Sequence, residues 1–556
     1  MHTFISRRDF VKVTALGAGG LLMGCYGGNK FDVIIRNGRI ADGLGGVPFR
    51  ADLGIRGDQI AAIGDLSGAK AKQVIDASGR LVTPGFIDIH THTDVELLVN
   101  PRGESKIRQG VTTEVSGNCG SSPFPLLEAD RVKMAERWME RYGVEVDWHD
   151  LDGLFHAFEQ KGIGLNYATF TGHGDLRAFG VGLHDTMPTQ DQMIKMEGAL
   201  AQSMEQGSLG LSTGLEYAPG SYATTDELIK LSLMVARYGG VYATHMRNED
   251  DTVEAAIAEA VEICRQAGVS TQISHLKACN KNNWHKVDGM LEQIDRSREN
   301  LPVDADRYPY TAWGTGLTSF LPLWARQGDT DEVLERLRNP ETAQKIKTYA
   351  ESRAQRIGGW DRVLISSCGG EDNKRFQGKY VLQCAEESDM TPVDFVQELL
   401  LSARNSVGVV GFAMDEENLE KVLAAPFTMI GSDGNAVAPY GVLGDGVPHP
   451  RYYGTFPRVL GHYARDKNVY PMAEAVKRMT SMPAGKLGFR DRGVLQEGKK
   501  ADVVILNPET VIDKAVYTDP HQYPVGIEHV LVNGVVVIKN GEHTGATPGQ
   551  ILRHGR

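Results

Sequence analysis

The middle of this chain, residues 84–488, alternates short apolar segments with amphipathic stretches many times over. Short runs of β-favouring residues between turn residues predict strands, and stretches such as Ala255–Gly268 predict helices. Strand–helix units repeated this often predict a (β/α)8 barrel, the TIM-barrel fold of the α/β class. The candidate strands are Gly85–Ile89, Val111–Val115, Asn166–Phe170, Gly210–Ser212, Val241–Thr244, Ser270–Ile273, Val303–Asp306, Val363–Ile365 and Thr428–Ile430.

Both ends of the chain have a different pattern. Residues 31–83 and 489–556 contain short β-rich runs broken by turn pairs, among which Asn533-Gly534 predicts a tight hairpin. We therefore expect one small β-sandwich built from both chain ends and flanking the barrel. The mostly helical stretch near residues 311–358 is longer than one crossover, which predicts an inserted lid.

Residues 1–30 have the pattern of an export signal. The Arg7-Arg8 pair, followed by Phe10 and Lys12, resembles a twin-arginine motif, and an apolar run up to Met23 follows it. That run is too short to span a membrane, which takes roughly 20 residues. The segment before Cys25 resembles a lipobox, so we expect a periplasmic protein with lipidation at Cys25 as an anchor to the membrane. The alternative is a basic tail before the first strand.

Composition excludes some partners. The net charge of −12 over 556 residues, without a basic cluster, argues against nucleic acid as a partner. The six cysteines contain no CxxC pair, so most are expected to be small buried hydrophobic residues. The local sequence around Cys25 and Cys119 suggests that these two cysteines have other roles.

Residues of the types that bind metals follow the predicted strands directly. A single histidine in such a place is more often a core or surface residue. Six ligand-type residues at the carboxyl ends of strands, where such barrels build their active sites, point together to a metal centre. These residues are His90, His92, Cys119, His245, His275 and Asp433.

The same segments resemble a known family. Gly85–His92 together with Asp433 resembles the amidohydrolase superfamily. A narrower resemblance, to the N-acyl-D-amino-acid deacylases or D-aminoacylases, extends from Phe31 to the C-terminus. It rests on Ser116–Gly120, Thr244–Arg247, Ser274–Lys277, Tyr308–Tyr310 and His449–Arg451.

The resemblance implies a zinc-dependent hydrolase. Cys119, His245 and His275 would form a tight Zn²⁺ site, and a second, weaker site would be surrounded by His90, His92 and Asp433. Asp433 would be the general base and acid. Lys277, Tyr308 and Arg451 would bind the carboxylate of the substrate, with Tyr217 lining the same pocket.

The substrate implied is a small N-acyl-D-amino acid. The stretch after Tyr310 has no basic residue before Arg326. If this stretch lines the pocket, the enzyme should prefer substrates with neutral or apolar side chains. Its apolar residues could equally serve core packing; they are Trp313, Leu317, Phe320, Leu321 and Trp324. Two other functions stay open. One is a cyclic-amide hydrolase of the hydantoinase kind, although a lysine is missing where Cys119 stands. The other is a non-catalytic exported binding protein.

Overall fold

The computed structural model describes residues 30–555. The predicted export motif, with Arg7, Arg8 and Cys25, lies outside the described residues. Among the residues described, none of the helices has the length and apolar character needed to cross a membrane.

Eight parallel strands form the predicted barrel. They are β1 (Phe86–Asp88), β2 (Val111–Ser116), β3 (Asn166–Thr169, continued by Thr171–Gly172), β4 (Gly210–Gly214), β5 (Val241–His245), β6 (Ser270–Ile273), β7 (Val303–Arg307) and β8 (Thr428–Ile430). Apolar side chains from alternate positions, such as Ile87, Val115 and Met429, fill the interior. The barrel predicted from the repeated strand–helix units is therefore confirmed.

The barrel closes between β8 and β1. The amide of Asp433 donates to the carbonyl of His90 at 2.8 Å, and Thr91 bridges to Gly434 in parallel register. The backbone contacts at this seam lie just past the carboxyl ends of both strands. The seam therefore holds together the two segments that carry His90 and Asp433.

Helices surround the strands and cover their apolar outer faces. Helix Val253–Ala267, for example, ends at Gly268, whose φ of 62° suits a glycine C-cap. The helices outside the insertion are Glu96–Val99, Glu104–Ile107, Glu128–Tyr142, Leu151–Lys161, His173–Gly180, Gln190–Gln206, Thr225–Arg237, Val253–Ala267, Val287–Arg298, Glu416–Ala424, Arg451–Arg458, Met472–Arg478 and Ser481–Leu487, with a π-helix at Val459–Asp466.

The two chain ends join in one nine-stranded mixed sheet. Its central contact is antiparallel, between Leu81–Pro84 and Val503–Leu506. Asn533 and Gly534 both have positive φ in the hairpin that sequence predicted. The other strands are Lys30–Ile40, Phe49–Arg56, Gln59–Gly64, Lys70–Asp76, Ile527–Val532, Val535–Lys539 and Glu542–His543.

An insertion between β7 and β8 carries its own sheet and core. Its strands Trp313–Gly316, Val363–Cys368 and Val407–Gly411 pair antiparallel. Val363–Ile365, predicted as a barrel strand, therefore belongs to the insertion, and that prediction was wrong. A short apolar run looks the same in either kind of sheet, so the sequence pattern could not separate them. The helices of the insertion are Leu323–Arg326, Thr330–Arg338, Pro340–Ile357, Val381–Glu387 and Pro392–Ser402.

One carboxyl group of the barrel is buried at a cost in stability. Glu114 on β2 is fully buried, and neither of its oxygens has a hydrogen-bond partner among the described residues. Burial raises the pKa of Glu114 to about 8, although the charge of Lys106 opposes this shift. Because the folded pKa lies above the unfolded one, the folded state holds the proton more tightly, and stability falls as pH rises from about 4.5 to 8.

Glu114→Gln should remove this pH dependence. As pH rises from 5 to 8, the unfolding free energy of the variant minus that of the wild type should increase, by at most about 1.4 kcal/mol per pH unit. Urea unfolding at several pH values measures the difference. Glu371→Gln, at a site where the side chain is 86% exposed, serves as the control. A constant difference across this pH range would contradict the buried neutral carboxyl.

Candidate metal and substrate site

The six ligand-type residues meet at the carboxyl end of the barrel. Two of them follow β1, and single residues end or follow β2, β5, β6 and β8. Cys119, His275 and Asp433 have φ values of 51°, 37° and 53°. Residues other than glycine rarely adopt this left-handed region, and such strained residues cluster at functional sites.

Four donor groups form one compact cluster. The ligand atoms of His90, Cys119, His275 and Asp433 all lie within 4.8 Å of one another. The Cys119 sulfur is 3.3 Å from Nε2 of His90 and 3.4 Å from Nε2 of His275. His92 joins this cluster through Asp433, because its Nε2 lies 2.9 Å from Oδ1 of that aspartate.

His245 completes the set on the other side of His275. The ring centroids of these two histidines are 4.6 Å apart, and His245, Glu249 and His275 form a second group of neighbouring ligand atoms. Both ring nitrogens of His245 are buried without a hydrogen-bond partner among residues 30–555. A buried imidazole in this state is suited to an additional ligand. The six residues named in the sequence analysis therefore lie close together at one end of the barrel, and their roles as metal ligands stay predictions.

Two acidic residues that the sequence argument missed orient the imidazoles. Oδ1 of Asp306 lies 3.2 Å from Nδ1 of His90 and accepts the backbone N–H of His275 at 2.7 Å. Oε1 of Glu249 lies 2.9 Å from Nδ1 of His275. A carboxylate at Nδ1 favours the tautomer in which Nε2 is free to bind a metal. Asp306 near the end of β7 could have been found by the strand-end rule; Glu249, in a loop, could not.

Charges within the cluster shift its protonation equilibria. Burial opposes ionisation of Cys119, but His90 and His275 hold the pKa of its thiol well below the usual range. Burial also opposes protonation of His245, yet Glu249 and Cys119 raise its pKa to about 8. Burial would raise the pKa of Asp433, but Arg451 and the neighbouring histidines keep it well below the usual range. The site therefore presents an ionised thiolate and an ionised carboxylate.

A cavity of about 800 Å³ opens beside the cluster. Arg451 is buried in its wall, with Nη1 2.9 Å from Oδ2 of Asp433 and its guanidinium carbon 4.7 Å from the ring centroid of Tyr308. Lys277 lies nearby, and its ammonium donates to Oε1 of Glu249 at 2.6 Å. The hydroxyl of Tyr217 accepts a hydrogen bond from Thr315 at 3.2 Å. All four predicted substrate-binding residues therefore line one cavity.

The donor set fits zinc. Thiolate and imidazole are the ligands that Zn²⁺ prefers, and a carboxylate completes sites that keep a position open for substrate. The carboxylates on Nδ1 of His90 and His275 supply the outer partners that such sites require. The division into a tight and a weaker site, which the resemblance implied, stays a prediction.

Comparison with known proteins agrees with this geometry. A model of the amidohydrolase family matches residues 73–290 and 403–538. The chain is 36% identical to D-aminoacylase of Alcaligenes xylosoxydans xylosoxydans over 522 residues, which covers 94% of this chain and 97% of that protein. It is equally 36% identical, over 527 residues, to N-acyl-D-glutamate deacylase of the same organism, again covering 94% and 97%.

A solved structure extends the comparison to the fold. N-acyl-D-glutamate deacylase of Bordetella bronchiseptica, in complex with zinc and a phosphonate mimic of the tetrahedral intermediate, superposes with a TM-score of 0.81 at 34% identity; the match covers 94% of this chain and all of that one. The chain therefore belongs to the amidohydrolase family. Within that family it is a metal-dependent amidohydrolase of the D-aminoacylase type.

Removal of the thiolate should weaken metal binding selectively. Cys119→Ala should lower zinc affinity by at least about 100-fold, because the metal loses a direct donor. Loss of a residue that only hydrogen-bonds to a ligand lowers metal affinity by at most about 100-fold. Competition with a chromogenic chelator measures the affinity. Cys264→Ala, at a buried thiol on helix Val253–Ala267, is the matched control and should bind zinc as the wild type does. Equal affinities in all three proteins would remove Cys119 from the metal site.

Proposed function

We propose that this protein uses zinc to hydrolyse the amide bond of N-acyl-D-amino acids, releasing a carboxylate and a free D-amino acid. Two relatives at 36% identity carry the names of such deacylases. The metal-type cluster supplies the chemistry for amide cleavage, and the neighbouring cations supply the means to bind a free carboxylate. Both are needed for this substrate class.

The observation that carries this proposal is a set of buried donors next to the cluster. Nε of Arg451 and the hydroxyl of Tyr308 are buried without a hydrogen-bond partner among the described residues. Leaving such donors unpaired costs about 1–3 kcal/mol each, so they are suited to an anionic ligand. An arginine can hold a carboxylate through two parallel hydrogen bonds.

Lys277 and Tyr217 have supporting parts in this arrangement. The ammonium of Lys277 contacts Oε1 of Glu249 at 2.6 Å and the carbonyl of His275 at 3.2 Å. It therefore holds the loop that carries His275, and its charge adds to the positive potential of the anion site. The ring of Tyr217 lies 4.8 Å from that of His245. It lines the same cavity as Arg451.

The reaction follows from the placement of Asp433. When bound, zinc polarises the amide carbonyl and makes an attacking water more acidic. Oδ2 of Asp433 takes a proton from that water as the C–O bond forms. The same oxygen then delivers the proton to the amide nitrogen as the C–N bond breaks, so that the amine leaves neutral. Arg451 and His92 hold the two carboxylate oxygens, each at 2.9 Å.

Side-chain preference is proposed from the insertion wall. Trp313 and Phe320 line the cavity, whereas Leu317 and Leu321 are buried in the insertion core and Trp324 is 40% exposed. Arg353 also lies in this wall, and its guanidinium donates to Asp250 at 2.6 Å. Because that pairing offsets the charge of Arg353, we propose a preference for neutral or apolar D-side chains over D-Glu.

Export is proposed from the sequence. The Arg7-Arg8 motif and the lipobox-like segment before Cys25 support transport to the periplasm and a lipid anchor. The twin-arginine route carries folded proteins, so the metal could be acquired before export. Cell fractionation of the wild type and of the double variant Arg7→Lys/Arg8→Lys would test the route. We expect the variant to stay in the cytoplasm and the wild type to reach the periplasm.

The alternatives have less support. A hydantoinase-like site would bridge two metals with a carboxylated lysine, and here the corresponding position holds Cys119 at 3.3 and 3.4 Å from two imidazoles. A non-catalytic binding protein would be expected to have lost ligands. The six donor residues are all present and close together.

Activity on matched enantiomers tests the proposal directly. With zinc, the wild type should release amino acid from N-acetyl-D-Leu, D-Met and D-Phe faster than from D-Glu, and should leave the L-enantiomers intact. Release of free amine is measured by a ninhydrin or oxidase-coupled assay. A clear preference for D-Glu would refute the side-chain proposal alone. Activity only on cyclic amides, or on no amide, would refute the function.

Asp433→Asn tests the proton-transfer role. The amide cannot accept the proton, so kcat should fall by at least about 1000-fold, within the range of general acid–base catalysis. Zinc content should change little, because His90, Cys119, His245 and His275 remain. The melting temperature should fall, because buried Arg451 loses its ionised partner. Asp288→Asn, on helix Val287–Arg298 with a side chain that is 73% exposed, is the control. Residual kcat within tenfold of wild type would exclude Asp433 as the base.

A further inference from the structure

A lysine that no proposed step uses is fully buried beneath the site. Lys106 belongs to the short helix Glu104–Ile107, and its side chain has no exposed surface. Its ammonium donates to Oδ2 of Asp88 at 2.9 Å, to Oγ of Ser432 at 2.6 Å and to the carbonyl of Gly434 at 2.9 Å. All three N–H donors of this lysine are therefore used.

These acceptors belong to the two segments that carry the site. Asp88 ends β1, two residues before His90, whereas Ser432 and Gly434 stand on either side of Asp433. Oδ1 of Asp88 also accepts the backbone N–H of Ser432 at 2.8 Å. Lys106 and Asp88 together thus join the end of the first strand to the loop after the eighth.

The backbone alone joins these segments weakly. Beside the bond from Asp433 to His90 at 2.8 Å, the amide of His92 donates to the carbonyl of Gly434 at a longer 3.4 Å. Asp433 has a φ of 53°, a conformation that an aspartate keeps only when its surroundings enforce it. Fixing both neighbours of Asp433 through one ammonium contributes to that enforcement.

The charge of Lys106 has a single matched partner. A buried ammonium is costly unless it is paired and hydrogen-bonded, and Asp88 provides the pairing within 2.9 Å. Buried ion pairs are seldom the most stable way to fill a core. The Lys106–Asp88 ion pair lies at the barrel seam and contacts both chain neighbours of Asp433. Its place therefore suggests that it positions Asp433.

We propose that Lys106 is a positioning residue for Asp433, which holds the carboxylate of that aspartate at the distance from His90 and His92 that the reaction needs. This inference rests on the proposed function of Asp433. It assigns Lys106 no contact with substrate or metal: the lysine acts through the backbone of Ser432–Gly434.

The chain offers a matched control at the opposite end of the barrel. The side chain of Lys486 is only 3% exposed, and its ammonium also has three acceptors: the carbonyls of Thr271 and Pro302 at 2.6 and 3.1 Å and Oδ2 of Asp304 at 3.0 Å. These acceptors lie at or near the amino ends of β6 and β7, away from the site. Loss of this lysine should cost stability alone.

The experiment compares Lys106→Met and Lys486→Met with the wild type, because methionine keeps much of the volume and removes the charge. For Lys106→Met, kcat should fall on the order of 100-fold, the effect expected from misplacement of a catalytic group by about 1 Å. KM should stay within about threefold, and zinc affinity should match the wild type. Lys486→Met should lower the melting temperature while kcat stays within about twofold.

A spectroscopic readout does not depend on turnover. In the cobalt-loaded proteins, the visible absorption spectrum of Lys106→Met should shift in the direction of Asp433→Asn, whereas Lys486→Met should keep the wild-type spectrum. If the wild type cleaves no N-acyl-D-amino acid, the proposed function fails, and this spectrum still decides whether Lys106 positions Asp433.

Other outcomes overturn the inference. A wild-type kcat and cobalt spectrum for Lys106→Met, with only a lower melting temperature, would make Lys106 a purely structural residue. If Lys106→Met does not fold, Lys106→Gln carries the test, since its uncharged amide can donate to at most two of the three acceptors of the lysine. A loss of about tenfold in kcat at unchanged zinc affinity is then expected, and an unchanged kcat would refute the proposal.

Discussion

Closure of the barrel between β8 and β1 is the contact on which the site depends. Parallel strands around a closed barrel bring all their carboxyl ends to one rim, so residues separated by more than 300 positions become neighbours. The bond from Asp433 to His90 at 2.8 Å is the point where this closure and the metal-type cluster coincide. If the seam shifted, the carboxylate would move away from both histidines of the first strand.

Paired charges stabilise the buried rim. Lys277 contacts Glu249, Arg451 contacts Asp433, Arg353 contacts Asp250 and Lys106 contacts Asp88, all at 2.6–2.9 Å. Ions in a poorly hydrated place are tolerated when they are paired, and their fields act strongly there. The same carboxylates that neutralise the cations also orient imidazoles or hold loops. Each of them therefore serves both the stability of the rim and its chemistry.

The insertion completes the cavity that the barrel leaves open. Helix Pro340–Ile357 contacts the loop after β5 through Arg353 and Arg356, which bind Asp250 and Asp251 at 2.6 and 3.2 Å. This loop also carries Glu249, the partner of His275. The insertion wall of the cavity is thereby joined to the loop that carries Glu249, so changes in the insertion can affect both parts of the site.

The sequence by itself determined the barrel and the joining of both chain ends in one sheet, and it named the six ligand-type residues that the fold brings together. It could do so because strand periodicity and the position of a residue after a strand are local properties. His90, His92, Cys119, His245, His275 and Asp433 were all found this way. Only the tertiary structure decided that Val363–Ile365 belongs to the insertion, that Glu249 and Asp306 orient the imidazoles and that Lys106 spans the seam. Those facts depend on contacts between residues distant along the chain, and a local pattern carries no information about which distant side chain will occupy the space beside it.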